Sequence, residues 1–424
     1  MIQESVDGGS IRGNEDFLRY WIGHAVSAFG DQISALALPL IAATTLQASA
    51  TEVALLTAAI WTPNLVSLFV GTWADRHPRP RALLVAANLA QALAVAAVPC
   101  AWLIDALSMP LLYAAGLALG AGGVVYDTAY PRFFARLVPR RDYVAANSML
   151  STTNSVAGIA GPAAGGALVQ IVTAPVAMII DAASFLISAI VIRSVHDTRT
   201  VSGGLAEEGE QPGRYRHRLV TGVRYLIAHP HLRASLSVST VMNFATFVVQ
   251  GLLVFYAARE LQLSAGQIGL AFTLGAFGGL LGAMIAPYVS RRLGIGPTIA
   301  LGATLYCLPF SGLAFASTGT RGVILIAAVE AVSALGVMLF DINNNAMRTA
   351  VTRDEMRSRV AGAYSTVNYG IRPLGAVCGG VLADQIGLRP TLFLAGLGGL
   401  LAASIVGLSP IMRLRGINDI DHID

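Results

Sequence analysis

The chain has 424 residues, of which 55% are apolar and only 12% charged, and its formal net charge is +4. Soluble globular domains carry about a quarter charged residues, so this composition excludes one and points to the membrane. The positive balance does not mark a nucleic-acid binder, because all 28 basic residues are Arg and they recur in every second loop instead of forming one patch.

At about 20 residues per span, twelve apolar segments are expected. They centre near residues 30, 63, 92, 119, 157 and 183, then 247, 277, 306, 334, 372 and 401. The polar start, with Glu4, Asp7, Glu15 and Asp16, has no cleavable-signal pattern, so the first span is expected to serve insertion. Arg-rich loops hold Arg76/Arg79/Arg81, Arg136/Arg140/Arg141, Arg291/Arg292, Arg353/Arg357/Arg359 and Arg413/Arg415, while the alternate loops hold only Arg259, Arg321 and Arg389. The positive-inside rule then makes the Arg-rich side and both termini cytoplasmic. Cys100, Cys307 and Cys378 all fall within spans, with no spacing that suggests a disulfide or metal site.

Taken in chain order, the first notable residue is Asp31, about 18 Å into span 1 counted from Arg19. No basic residue lies within two turns of it. Loss of water disfavours a charged carboxylate, so a lone intramembrane acid is a candidate for proton coupling or substrate contact. Ser49-x-x-Glu52 reads as a capping box opening span 2. GTWADRHPRPR at 71–81 places Gly71, Asp75, Arg76 and Arg79 at the turn into span 3. An acid before a basic turn suits a latch that breaks when packed units move, and equally a positive-inside loop with one neutralising acid.

Asp127 lies near the cytoplasmic end of span 4, with Arg132 farther along. In span 5, GIAGPAAGG supplies Gly161, Pro162, Gly165 and Gly166: the proline removes a backbone donor and the glycines open a face for close packing. Asp181 lies about seven residues inside span 6, a candidate for coupling although a structural role is the favoured reading. From Val195 the chain turns polar and Gly-rich, giving a first half at 1–194, a linker at 195–230 and a second half at 231–424. The linker ends in an amphipathic helix bearing Val220, Val223, Leu226 and Ile227, expected to lie on the inner membrane surface and stop at Pro230. In the second half Ser264-x-x-Gln267 repeats the capping box, Ser290 stands where Asp75 would, and Asp341 with Arg348 repeats Asp127 with Arg132. These two low-lying acid–base sets are expected to form inner-gate salt bridges. Glu330 and Arg372 lie at similar depths by helical rise, which predicts a buried pair, because either charge alone is costly. The alternative for Arg372 is an anion site.

Segments about 214 residues apart also match. LQASA at 46–50 returns as LQLSA at 261–265, Tyr126-Asp127 as Phe340-Asp341, STTNS at 151–155 as STVNY at 365–369, and GGAL at 165–168 as GGVL at 379–382. A duplicated unit of about six spans implies an all-α membrane protein of twelve transmembrane helices in two pseudo-symmetric halves, with a substrate site between them. Asp31, Asp75, Pro162 and Asp181 have no counterpart in the second half, nor Glu330 and Arg372 in the first.

The signature G-x-x-x-D-R-x-x-R, carried by Gly71, Asp75, Arg76 and Arg79, resembles the loop 2–3 motif of the major facilitator superfamily, with Trp73 and Pro78 departing from its usual residues. The run around Pro162 resembles the motif of antiporter members. SAFGDQISALALPL, SATEVALLTA, MIIDAASFLISA and RPLGAVCGGVLADQIGLRP resemble the exporter branch containing enterobactin exporters and macrolide efflux pumps. The resemblance implies a secondary exporter of drugs or small secreted metabolites, by proton antiport and alternating access. It would be a monomer in a bacterial plasma (inner) membrane, with a small-molecule substrate, protons and the bilayer as partners, and no cofactor. An importer or facilitator on the same fold is the alternative. The chain has no H-E-x-x-H, G-x-S-x-G or phosphate-binding Gly-Lys loop, so an enzyme or a self-contained ATP-driven pump is not expected.

Overall fold

The computed structural model describes residues 11–195 and 212–416; residues 196–211 of the expected linker and both termini lie outside them. Among the described residues the secondary structure is entirely helical. Helix α1 (Glu15–Leu40) starts at Asn14, whose side chain accepts the Phe17 amide hydrogen, and carries Glu15 and Asp16 in its first turn where the helix dipole favours acids. It runs on through a π-type turn at Ile41–Thr45. Helix α2 (Ala50–Trp61) opens on the expected Ser49/Glu52 box. Pro63 then converts the chain to a 3-10 turn at Thr62–Val66 before α3 (Ser67–Arg76). Helices α4 (Pro80–Leu103), α5 (Met109–Leu137), α6 (Tyr143–Val172) and α7 (Ala174–Ser194) complete the first half.

Helix α8 (Pro212–Ala228) precedes the second half. That half comprises α9 (Pro230–Gln250), its short continuation α10 (Leu253–Arg259), α11 (Ala265–Leu293) behind the Ser264/Gln267 box, and α12 (Ile295–Cys307). Then follow α13 (Thr320–Val351), α14 (Arg357–Ile386) and α15 (Leu388–Leu408). Ten segments are long and apolar enough to cross a membrane. The other two expected spans fall short for local reasons: α2–α3 is broken at Pro63, and α14 carries Arg357, Arg359, Arg372 and Asp384. Both are packed into the same bundle, α14 against α2 and α9.

The duplication is legible in the backbone. Gln47 and Gln262 occupy the same left-handed conformation, φ 54 and 55, one turn before the two capping boxes. Thr173, φ 79, stands where the second half has Gly387, φ 95; glycine takes this conformation without strain and threonine does not.

Within the first half α1 packs on α6 and α7, and α4 on α5 and α7; within the second, α11 packs on α13, and α9 on α14 and α15. The halves meet chiefly along α6–α11 and α2–α14. Their cores reveal where. One buried cluster joins both halves, taking in Leu36, Ala54, Val169, Val249, Ile268 and Leu392. Towards the Arg-rich loops the core divides into clusters each confined to one half, among them one around Phe17, Tyr20 and Phe133 and one around Val238, Ile299 and Phe340. The molecule is therefore fused at its Arg-poor face and divided at its Arg-rich face.

Helix α8 departs from the expected bilayer-surface role. Leu226 is fully buried in a cluster with Leu232, Val360, Ala363 and Tyr364, and Gly222 meets the Arg359 carbonyl so closely that a methyl group would clash. Its apolar face is spent on α14 and α9; Val220 and Ile227 remain exposed.

Candidate functional site

The Arg-poor seam is closed by hydrogen bonds to helix starts. The first backbone amides of a helix have no partner inside it. At α2, Ala50 and Thr51 donate theirs to the Asp384 carboxylate of α14, at 3.2 and 3.1 Å. At α11, Gly266 donates to Oε1 of Gln170 from α6 at 3.0 Å, and the Ser264 hydroxyl donates to the same oxygen at 3.1 Å. Arg259 adds a bond to Gln47 across the seam, and Arg389 pairs with Glu260 at 3.1 Å beside it. A cleft of about 450 Å³ at this face is lined by Ser49, Glu52, Phe255, Arg259, Asp384 and Leu388, among others.

The glycines of the Pro162 motif explain how the backbones come together below these caps. A Cβ on Gly166 would sit 2.5 Å from the Ala265 carbonyl oxygen and 3.1 Å from the Gly269 Cα. One on Gly269 would run into the Pro162 carbonyl. Beside Pro162, the Ala163 amide donates 3.0 Å to Oγ1 of Thr273 on the opposite half. Gly161 and Gly165 instead receive Gln32 and Ile33 of α1. The motif is thus a two-sided docking strip, with α1 on one flank and α11 on the other.

Below the seam both halves carry ionisable groups within their helices. On the first half Asp31 has an exposed side chain and lies within electrostatic reach of Asp181 and Asp127. Asp127 is exposed as well, on α5 beside Tyr126, whose hydroxyl bonds that of Tyr20 at 3.0 Å. Asp181 is fully buried, accepting from Ser34 and, at 3.0 Å, from Ser184. Gly30 is what allows α1 to reach it, since a methyl there would collide with both Asp181 and Ser184. Through these bonds Asp181 ties α1 to α7. A groove of about 480 Å³ opens nearby between α1 and α6, lined by Trp21, Phe29, Met149, Thr153 and Val156 among others.

The second half presents a continuous polar ladder. The Ser235 hydroxyl donates 2.6 Å to Asn344, which donates 3.0 Å to the Tyr364 hydroxyl; Ser239 also bonds Tyr364. Asn368 donates 3.0 Å to the Tyr364 carbonyl and accepts from Asn243 at 3.1 Å. At the top, Nε of Arg372 donates 3.0 Å to Oδ1 of Asn243. The Arg372 guanidinium sits 4.4 Å from the ring centre of Tyr369, 5.0 Å from that of Phe247, and 4.4 Å from that of Trp61, which belongs to the first half. Stacking of this kind contributes about 0.5–2 kcal/mol per contact. At the foot of the ladder Arg348 lies 3.8 Å over the Tyr364 ring and donates to Asn345.

Several expected pairings are absent. Glu330 and Arg372 form no ion pair: the Glu330 backbone and Cβ pack against Gly275 on α11, its Oε1 is buried without a hydrogen-bond partner, and Arg372 faces α9 and Trp61. Equal depth on two helices fixes height but not azimuth, and the two side chains leave their helices in different directions. Asp127 and Asp341 likewise make no ion pair among the described residues. Arg132 reaches instead to the Ala74 and His77 carbonyls at 2.9 and 3.1 Å, covering the free C-terminal end of α3. The Asp75 side chain lies outside the described residues; Gly71 faces Thr128, and Arg76 and Arg79 are exposed around the turn into α4.

Sequence reasoning missed the Trp61–Phe247–Tyr369 box, Asn243 and the Asp384/Gln170 caps. A signal existed for the caps: Asp384 and Gln170 fall at equivalent repeat positions, ahead of the two expected capping boxes by exchange of halves.

Comparison with known proteins agrees with this architecture. The family model described as Major Facilitator Superfamily matches residues 20–376 and 236–414. The chain is 27% identical over 406 residues to the "Multidrug efflux pump Tap" of Mycobacterium tuberculosis, covering 93% of this chain and 92% of that protein. It is 27% identical over 363 residues to the protein of the same name from Mycolicibacterium fortuitum, covering 83% and 85%. Among solved structures it is similar to a bacterial homologue of the iron transporter ferroportin in an inward-facing state, with TM-score 0.75, 18% identity and 94% and 98% of the two chains covered. Against an outward-facing structure under the same description the TM-score is 0.55, at 20% identity and 92% and 98% coverage. The nucleoside transporter NupG gives 0.73 at 11% identity, covering 93% and 98%. The family model spans most of the chain and the helical bundle overlays solved transporters along nearly its whole length, and this chain belongs to the major facilitator superfamily.

Proposed function

We propose that the protein is a proton-coupled exporter of drugs or small secreted metabolites in a bacterial inner membrane, working by alternating access as a monomer. The observation that carries this reading is the division of the core: one shared cluster at the Arg-poor face, separate ones for each half at the Arg-rich face. If the Arg-rich face is cytoplasmic, as the loop charges argue, the state described is open to the cytoplasm, where an exporter loads. The closer likeness to the inward-facing member of the ferroportin-homologue pair supports the same orientation. Export is favoured over import by the similarity to multidrug efflux pumps across most of the chain.

Asp31 is the proposed proton carrier. Its side chain is exposed, it has no basic partner among the described residues, and it lies within electrostatic reach of Asp181 and Asp127. Protonation from the outer side and release inward would drive the halves between states. The test is drug accumulation and resistance in cells producing wild type or Asp31→Asn, with uptake into inverted vesicles under an imposed pH gradient. Wild type should concentrate drug inside vesicles that are acidic within, and Asp31→Asn should lose the dependence on the gradient. Uptake by Asp31→Asn equal to wild type and equally sensitive to the gradient removes Asp31 from the mechanism.

A further inference from the structure

We infer that Arg372 is the anion-binding element of the cargo site, and that this cavity takes planar aromatic compounds bearing a carboxylate or comparable anionic group. The inference rests on the transport reading above and assigns its substrate class.

Four observations converge. First, Arg372 lies on a span, half-buried, and has no carboxylate partner within ion-pair distance among the described residues. An arginine held inside a membrane protein without a fixed counter-ion is expensive and marks a functional position. Second, only Nε is engaged, by Asn243; the two terminal nitrogens make no hydrogen bond within the protein and are not sealed from solvent. That leaves free the edge of the guanidinium that binds a carboxylate through two parallel bonds. Third, the side chain is held in place. Asn243 is itself fixed by Asn368, and the guanidinium plane is gripped by Trp61, Phe247 and Tyr369. Fourth, Tyr369 is more than a third exposed although its ring packs against the guanidinium, so part of an aromatic side chain stays open at this box.

Asp341 is an acid within electrostatic reach of Arg372, with Tyr306 also nearby, but neither occupies its free edge. On the facing half the acids are Asp31 and Asp127. A cargo anion on Arg372 therefore keeps its charge on the second half and away from the acids of the first. Trp61 also makes the site sensitive to state, because it is the first half's contribution to a box otherwise built by the second. When the halves separate at the Arg-poor face, Arg372 loses one of its three aromatic walls, and an anion held there is weakened where it must be released.

The test is equilibrium binding to the purified full-length protein of 1-naphthoate and of 1-naphthamide, a planar carboxylate and its uncharged counterpart. Wild type should prefer the carboxylate by about tenfold or more, and Arg372→Gln should bind both probes alike. Asn243→Ala, which frees Arg372 without removing its charge, should reduce the preference, and this serves if Arg372→Gln does not fold. Equal binding of the two probes by wild type, no saturable binding of naphthoate, or an undiminished preference in either variant overturns the assignment. A wild type that exports drug but shows no carboxylate preference loses only this inference. A wild type that selects naphthoate yet transports nothing against a gradient loses the export reading instead.

Discussion

Asp384 and Gln170 occupy equivalent positions in the two halves, and each caps the start of a helix belonging to the other half. Asp384 receives the Ala50 and Thr51 amides at 3.2 and 3.1 Å, and Gln170 the Gly266 amide at 3.0 Å. An exchange of helix caps seals both sides of one seam with one duplicated device. The duplication is imperfect, since one cap is an acid and the other an amide. A carboxylate at a helix start gains from the dipole as well as from the hydrogen bonds, so the α2–α14 side is the stronger fastening.

Asp384→Ala should therefore loosen the seam more than Gln170→Ala. Loss of a cap costs about 0.5–2 kcal/mol, which shifts the balance of states roughly 2- to 30-fold towards opening at the Arg-poor face. The check is the rate at which a membrane-impermeant maleimide labels a cysteine placed at Ala48, which is buried at this seam, in a background lacking the native cysteines. Gln170→Ala labelling faster than Asp384→Ala would reverse the assigned order.

Gly166→Ala and Gly269→Ala act by another route, wedging α6 from α11 where backbones are already in contact. Overpacking of this kind costs about 1–3 kcal/mol. Both variants should speed labelling at the same reporter position. Gly158→Ala lies on the same helix with open space around it and should change nothing; if it matches Gly166→Ala, the effect comes from helix propensity and not from the seam.

Much of this was legible in the sequence, and the reasons differ by feature. The capping boxes at Ser49 and Ser264 are local, requiring only residues three apart, and both form. The repeat placed Asp384 opposite Gln170 in register, yet which helix each would cap depends on the docking of the halves. The Glu330–Arg372 pairing failed because rise along a helix is one coordinate of three. The aromatic box around Arg372 draws on α2, α9 and α14, and no spacing within one segment announces it.

Glu330 and Arg372, being unpaired, should behave independently. Glu330→Gln and Arg372→Gln combined should sum in their effects on thermal stability to within about 0.5 kcal/mol. A double variant clearly more stable than that sum would restore the pairing. Glu330→Gln alone should be close to neutral, since an amide of the same shape replaces a carboxyl group whose Oε1 already lacks a hydrogen-bond partner.

The two acids near α1 should separate cleanly. Asp181→Ala removes the acceptor of Ser34 and Ser184 inside a packed interface and should cost about 1–3 kcal/mol of stability. Asp31→Asn should leave the melting temperature of the purified protein nearly unchanged while altering how transport depends on the pH gradient. If the stability loss falls on Asp31→Asn instead, the roles given to these residues are exchanged.

The most direct test of alternating access is a pair of spin-label distances measured in the same membrane. One pair joins Ser108 to Thr318 across the Arg-poor face, and the other joins Arg140 to Arg353 across the Arg-rich face; all four positions are exposed. Conditions that shorten the Arg140–Arg353 distance should lengthen the Ser108–Thr318 distance, with two populations exchanging in opposite senses as pH or drug is varied. Distances that stay fixed, or that lengthen at both faces together, would contradict a transporter that opens one side only by closing the other.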